Sequence, residues 1–334
     1  MMTAMAKWRR ILVSLVCLVA MVVLVRHLLR DTEPRYRDIP LSDWIALHRS
    51  YTIRGQIPFV LFIEFREVSG RDTLGPEAAD AIRQIGTNAL PVLINWMNLH
   101  RSPWKTTIAR AVAKLPRSVR PAKLPAWVDP AKEYERASLA YSGFLILGAA
   151  AAPAIPDLVS VACNTQALGS ASAVDVLVRL NKPAVPALAG MLTDSRPKEI
   201  QNRVMNGLGY IGLDAVEAIP ALVSCLNHSD EELAALSAAT LARIQQRPDL
   251  AVPALIVCLD DSRDLVRLAA AKALGDFGSD ASPAAAKLTS LLVQPDIHLS
   301  REAGRALEKI APSSFNEPFA TEFISTLDGF GPQP

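Results

Sequence analysis

Aromatic residues make up only 6% of this 334-residue chain, and charged residues only 20%, with 35 lysines and arginines nearly cancelling 33 acids. The first scarcity argues against a β-sandwich, which draws on aromatic and β-branched side chains. The second excludes a highly charged disordered polymer, and a net charge of +2 is too small for the whole chain to act as a nucleic-acid polycation. Four cysteines in a chain of this length are no disulfide framework, and no C-x-x-C pair occurs. The five histidines, His27, His48, His100, His228 and His298, never lie within four residues of one another. The H-E-x-x-H metal helix is therefore absent, as are nucleophile elbows and P-loops. What abounds is alanine and leucine within a 50% hydrophobic composition, which favours helices packed through small and branched aliphatic side chains.

Charge is unevenly divided. Residues 1–150 carry 21 bases against 12 acids, residues 151–312 carry 14 against 18, and the remainder adds three acids. Any electrostatic function is thus expected in the first half.

The front of the chain reads as a membrane anchor. Ile11 to Val25 is a run of 15 residues with only Ser14 polar, extended by Leu28 and Leu29 if Arg26 snorkels to the headgroups. Residues 11–29 then reach the roughly 17–25 residues a spanning helix needs. Lys7, Arg9 and Arg10 before the run also suit a cleaved signal peptide. No small-x-small site follows, however: the exit is Val25-Arg26-His27-Leu28-Leu29-Arg30. An uncleaved single-pass anchor is expected. Arg26, Arg30, Arg35 and Arg37 behind it nearly balance the positive-inside count. The short basic leader places the N-terminus in the cytoplasm and the body in the periplasm.

A repeat governs the rest. Ala89-Leu90-Pro91-Val92-Leu93 returns as Ala154-Ile155-Pro156-Asp157-Leu158, Ala184-Val185-Pro186-Ala187-Leu188, Ala218-Ile219-Pro220-Ala221-Leu222 and Ala251-Val252-Pro253-Ala254-Leu255. The proline spacings are 65, 30, 34 and 33, the first close to two periods, and a degenerate sixth copy has Ala286 in the proline position. A helical stretch ending in glycine precedes each copy, most clearly Asp264 to Gly278, with apolar residues at spacings of three and four. Proline is tolerated in the first turn of the following helix, where its missing N–H has no intrahelical partner. One repeat is a helical hairpin that buries its apolar face only against neighbours.

These residues resemble the HEAT-repeat family, particularly the short bacterial subclass of phycobilisome lyase-type proteins, from about Pro76 to Ala311. Tyr36 to Trp44, together with Ala81 to Pro91, is similar to a group of membrane-attached bacterial HEAT-repeat proteins. The resemblance implies an all-α chain, an α-α superhelix of HEAT/armadillo-like solenoid type behind an N-terminal transmembrane helix, and brings no activity with it. The expected division is an anchor at residues 1–30, a linker at 31–40, a solenoid of six or seven hairpins at 41–312, and a cap or tail at 313–334. Leu41 to Ile45 is expected to open a helix with Ser42 as its cap. Residues 103–130, with five prolines, are expected to form an irregular insertion.

Few residues suggest chemistry. Gly207-Leu208-Gly209-Tyr210-Ile211-Gly212 spells a dinucleotide loop but closes a helix instead of opening one, so it reads as a turn. Cys225 and Cys258 share one place in successive repeats and read as core, and His228 as a solvated turn residue. Asp264 and Arg267, near Asp260 and Asp261, read as a tie between hairpins. The candidate binding surface is Arg101, Trp104, Lys105, Arg110, Lys114 and Arg117, within a stretch, residues 101–123, of seven bases and no acid. Such a face suits anionic lipid, an acidic protein or a phosphate backbone; a solvated basic helix face is the plainer alternative.

The expected function is a non-catalytic, membrane-anchored scaffold. A protein or peptide partner sits on a concave face formed largely by the second helices of the hairpins. No cofactor, no metal and no nucleic acid is expected. Two rivals remain: a lyase- or isomerase-type HEAT-like enzyme, which needs convergent polar groups on that face, and a nucleic-acid-binding module, which needs bases along the repeats.

Overall fold

The structure is a computed structural model that describes residues 33–54, 74–115, 121, 124, 128–192 and 196–311. The apolar run at 11–29 and the tail at 313–334 lie outside the described residues. The chain enters through two short antiparallel strands, β1 (Arg35–Tyr36) and β2 (Ile39–Pro40). Residues 35–40, within the expected linker, thus form a short hairpin. It is fixed to helix α1 (Leu41–Arg54), whose Trp44 Nε1 donates to the Tyr36 carbonyl at 3.1 Å. Ser42 lies inside the first turn instead of capping it. Its N–H donates to the Glu33 carboxylate, and that of Leu41 to the Pro34 carbonyl.

Six helical hairpins follow among the described residues, each a longer first helix and a shorter second one. They are α2 (Leu74–Ile85) with α3 (Leu90–Met97), α5 (Ala131–Leu147) with α6 (Ile155–Cys163), and α7 (Ser170–Leu180) with α8 (Val185–Gly190). Then come α9 (Lys198–Ile211) with α10 (Ile219–Cys225), α11 (Glu231–Ile244) with α12 (Pro248–Cys258), and α13 (Asp264–Phe277) with α14 (Ala285–Leu291). A last long helix, α15 (Ile297–Ile310), packs on α13. Among the described residues between Pro91 and Pro156, α5 is the helix that forms a hairpin with a following short helix. The expected insertion is partly regular, because helix α4 (Pro103–Ala113) forms within it.

Local chemistry explains the boundaries. The Pro91, Pro156, Pro186 and Pro220 positions fall at the first turns of α3, α6, α8 and α10. Asp230 and Asp296 cap α11 and α15, each carboxylate accepting two backbone N–H groups within 3.2 Å. The long helices of the six hairpins stop at a positive-φ residue: Gly86, Gly148, Asn181, Gly212, Gln245 and Gly278. In three hairpins a 3-10 segment follows in which buried alanines recur every third residue, as in Ala215 and Ala218 or Ala281 and Ala284.

One continuous core runs from Leu41 to Ile310. Successive long helices pack closely, whereas the short helices touch each other lightly. At Gly275 of α13 an added Cβ would stand 2.9 Å from the Ala306 Cα of α15. The long helices thus approach one another closely at this point of the array. Ala131–Cys163 and Lys198–Cys225 have the length and hydropathy of membrane-crossing segments. Each is folded back at a positive-φ glycine, Gly148 or Gly212, and supplies the array's core.

Candidate functional site

Two surfaces stand out, and the first is the basic stretch. Ser102 precedes α4 in extended backbone, and its hydroxyl and N–H both donate to the Glu133 carboxylate on α5, at 2.9 and 3.3 Å. Lys105 Nζ adds an ion pair to the same carboxylate at 2.8 Å. Burial opposes ionisation of Glu133, but the hydrogen bonds from Lys105 and Ser102 outweigh it and hold its carboxyl below the usual carboxylate range. The start of α4 is thus tied to α5 by one largely buried acid.

Of the six residues the sequence singled out, four are exposed. Arg101 stacks on the Tyr134 ring with Cζ 5.6 Å from its centroid, Trp104 is 50% exposed, and Arg110 and Lys114 are exposed. Lys105 does not belong with them, because its charge is spent on Glu133. Its Nζ also stands over the Trp104 ring, 5.6 Å from the centroid. The helix ends at Ala113, which leaves Lys114 at the cap, and Arg117 lies outside the described residues. Ile108 and Leu115 were missed; they follow Trp104 by four and eleven positions, a helical period that emphasis on the bases obscured.

The second surface is a groove of about 550 Å³ across three long helices. Tyr141 of α5, Asp175 and Arg179 of α7, and Arg203, Asn206 and Tyr210 of α9 line it. Arg203 Nη1 donates to both Asp175 oxygens at 2.8 and 3.0 Å. The Arg179 guanidinium stands 5.9 Å from the Tyr210 ring centroid, and Tyr210 is 73% exposed. Asn206 Nδ2 donates to the Asn202 carbonyl. Gly207 lets α9 approach Val178 of α7 to a distance that an added Cβ would occupy.

The groove lies on the first helices of the hairpins, the opposite row from the second helices on which the partner face was expected. Two of its residues, Arg179 and Tyr210, share a register position. Arg179, Tyr210, Arg243 and Asp276 each stand two positions before the turn residue of their repeat, so a varied polar or aromatic side chain recurs there. Open, polar and aromatic, the groove is suited to stacking a side chain and hydrogen-bonding a peptide.

The remaining polar residues are structural. The Gly207–Gly212 motif closes α9. Cys225 and Cys258 are both buried, and burial pushes the Cys258 thiol up to about 11. Asp264 and Arg267 pair within α13, and the links between repeats run through Arg263 and Arg267 to other partners. Arg263 pairs with Asp261 at 2.7 Å and donates to the His228 carbonyl of the preceding repeat at 2.6 Å. Arg267 pairs with Asp264 and stands 4.0 Å from Asp296 of the following repeat. His228 Nδ1 accepts from the Asp230 N–H, so this half-buried turn residue shapes its loop. Among the described residues no three histidine, cysteine or acidic side chains are grouped as a metal site.

No curated protein matches the chain. Residues 219–308 match the family model for HEAT repeats, from the first residue of α10 to the last turn of α15. Helical hairpins of HEAT type account for that segment, and the same hairpin geometry continues towards the N-terminus.

Proposed function

We propose that the chain is a non-catalytic HEAT-type scaffold, held at the membrane by residues 11–29, whose long-helix face binds a protein or peptide in the periplasm. The observation that carries this reading is the groove across α5, α7 and α9. It offers an exposed tyrosine, a stacked arginine and amide side chains along three rigid helices, a surface that orders a peptide at little cost to itself. HEAT-type repeats serve protein interaction in general, and the array's stiffness sets contacts at a fixed place relative to the anchor. The net acidic balance of residues 151–312 disfavours a phosphate backbone on the same face. The likeness to the short bacterial HEAT subclass and to its membrane-attached members belongs to this reading.

Photo-crosslinking from single positions in the full-length chain tests it. A crosslinker at Asn206 in the groove should give a discrete adduct in native membranes, and Tyr210→Ala should weaken that adduct. The same crosslinker at Val257, exposed on the short-helix row, should give none. Adducts from Val257 alone would contradict the assignment of the face.

A further inference from the structure

Helix α4 buries none of its side chains, whereas every other helix described contributes buried residues to the core. Trp104, Ile108 and Ala111 lie at spacings of four and three and so share one face of α4. Leu115 follows in the same register just beyond the helix end. Trp104, Ile108 and Leu115 are 50%, 39% and 40% exposed, an apolar strip one helix wide. Arg101, Arg110 and Lys114 accompany it, and residues 101–115 contain no acid. The nearest buried acid, Glu133, is already neutralised by Lys105.

We infer that α4 docks in the headgroup region of an anionic lipid surface, with Trp104, Ile108 and Leu115 entering the interface and Arg101, Arg110 and Lys114 meeting lipid phosphates. A helix with a narrow apolar strip beside bases lies in the interface plane, bound by shallow insertion plus attraction to anionic lipid. Tryptophan suits that depth because its ring is apolar and its N–H is wet. An acidic protein would satisfy the bases but not the exposed strip, and lipid satisfies both. The Ser102–Glu133–Lys105 cluster fixes the start of α4 on α5, so docking would set the tilt of the whole array over the bilayer. The inference leans on the proposed anchor only for proximity to a membrane.

The test uses the full-length chain in vesicles whose acyl chains carry bromine, a contact quencher of tryptophan. One set is phosphatidylcholine alone, and the other contains about one-third phosphatidylglycerol. Subtracting the signal of Trp104→Phe isolates Trp104 from the other tryptophans. The Trp104 component should be quenched roughly twofold or more strongly in anionic vesicles, and high salt should relieve the excess. A double reversal, Arg110→Glu with Lys114→Glu, should abolish the preference while the melting curve stays unchanged, since neither side chain is in the core. Absence of Trp104 quenching in anionic vesicles, or equal quenching in both sets, would overturn the inference. Carbonate extraction of the same vesicles reports separately on residues 11–29, so failure of the anchor reading is distinguishable from failure of this one.

Discussion

Asn181 ends α7 with φ 62° and ψ −137°, the conformation that Gly148, Gly212 and Gly278 take at the same place in their repeats. A side chain there meets its own backbone, at a cost of roughly 1–3 kcal/mol. Asn181 recovers little of it, since its Nδ2 reaches the Asp214 carboxylate only at 3.3 Å on an exposed surface. Asn181→Gly should therefore raise stability by about 1 kcal/mol after the extra chain entropy of glycine is subtracted. A urea titration checks this; a lowered midpoint would show that the Asp214 contact outweighs the strain. The turn itself was legible from the recurring glycines, but Asn181 and Gln245 take the same role without that signature. Gln245 does so in the ordinary left-handed region and Asn181 outside it.

Elements are joined by a polar ladder along the edge where repeats meet. Lys198 of α9 reaches Asp230 and Glu232 at the start of α11, at 2.6 and 2.7 Å, and Lys309 of α15 reaches Asp276 of α13. Hydrogen bonds to Asp230 and Glu232 push Lys198 up to about 12. The strongest carboxylate is Asp261. Hydrogen bonds from the Arg263 side chain and backbone outweigh desolvation and hold it near pH 2, against an ordinary value of 3.8. A carboxyl depressed in the folded state stabilises the fold above its ordinary pKa and ceases to do so as pH falls through the depressed value. Stability should thus decline between about pH 4 and pH 2. Asp261→Ala should lower stability at neutral pH by roughly 1 kcal/mol and flatten that part of the acid slope. Thermal melts at both ends of the window decide it. An unchanged acid slope in the variant would remove Asp261 from the ladder.

Charge pairs at such spacings in sequence were open to anticipation because hairpins repeat, and Asp264 with Arg267 was read that way. The link from Arg263 to the His228 carbonyl was not, since a backbone acceptor in another repeat carries no sequence mark. Helix α4 shows the reverse difficulty. Five prolines suggested an irregular segment, yet Pro103 stands where a helix tolerates it best, at the first position. The same reading noticed the bases of this segment and passed over Ile108, whose exposure depends on how the other described helices pack.

At the scale of the molecule, the array was legible because five proline-containing copies recur in register, and period and hairpin follow from that pattern alone. Which row of helices carries the groove was not legible. It depends on how closely neighbouring long helices approach, and that is set by small residues such as Gly207 and Gly275 acting across repeats. The groove is accordingly on the long-helix row. On the proposed reading a stiff helical array is tethered outside the cytoplasmic membrane, with one face for a peptide and a side helix for lipid.

Protease accessibility in intact cells, before and after the outer barrier is opened, tests that placement most directly. The account predicts that the repeats resist protease until the outer barrier is opened and are then cut, leaving a small membrane-bound fragment that contains residues 11–29. Protection of the repeats until the cytoplasmic membrane itself is lysed would contradict it, and would place the array and its partner in the cytoplasm.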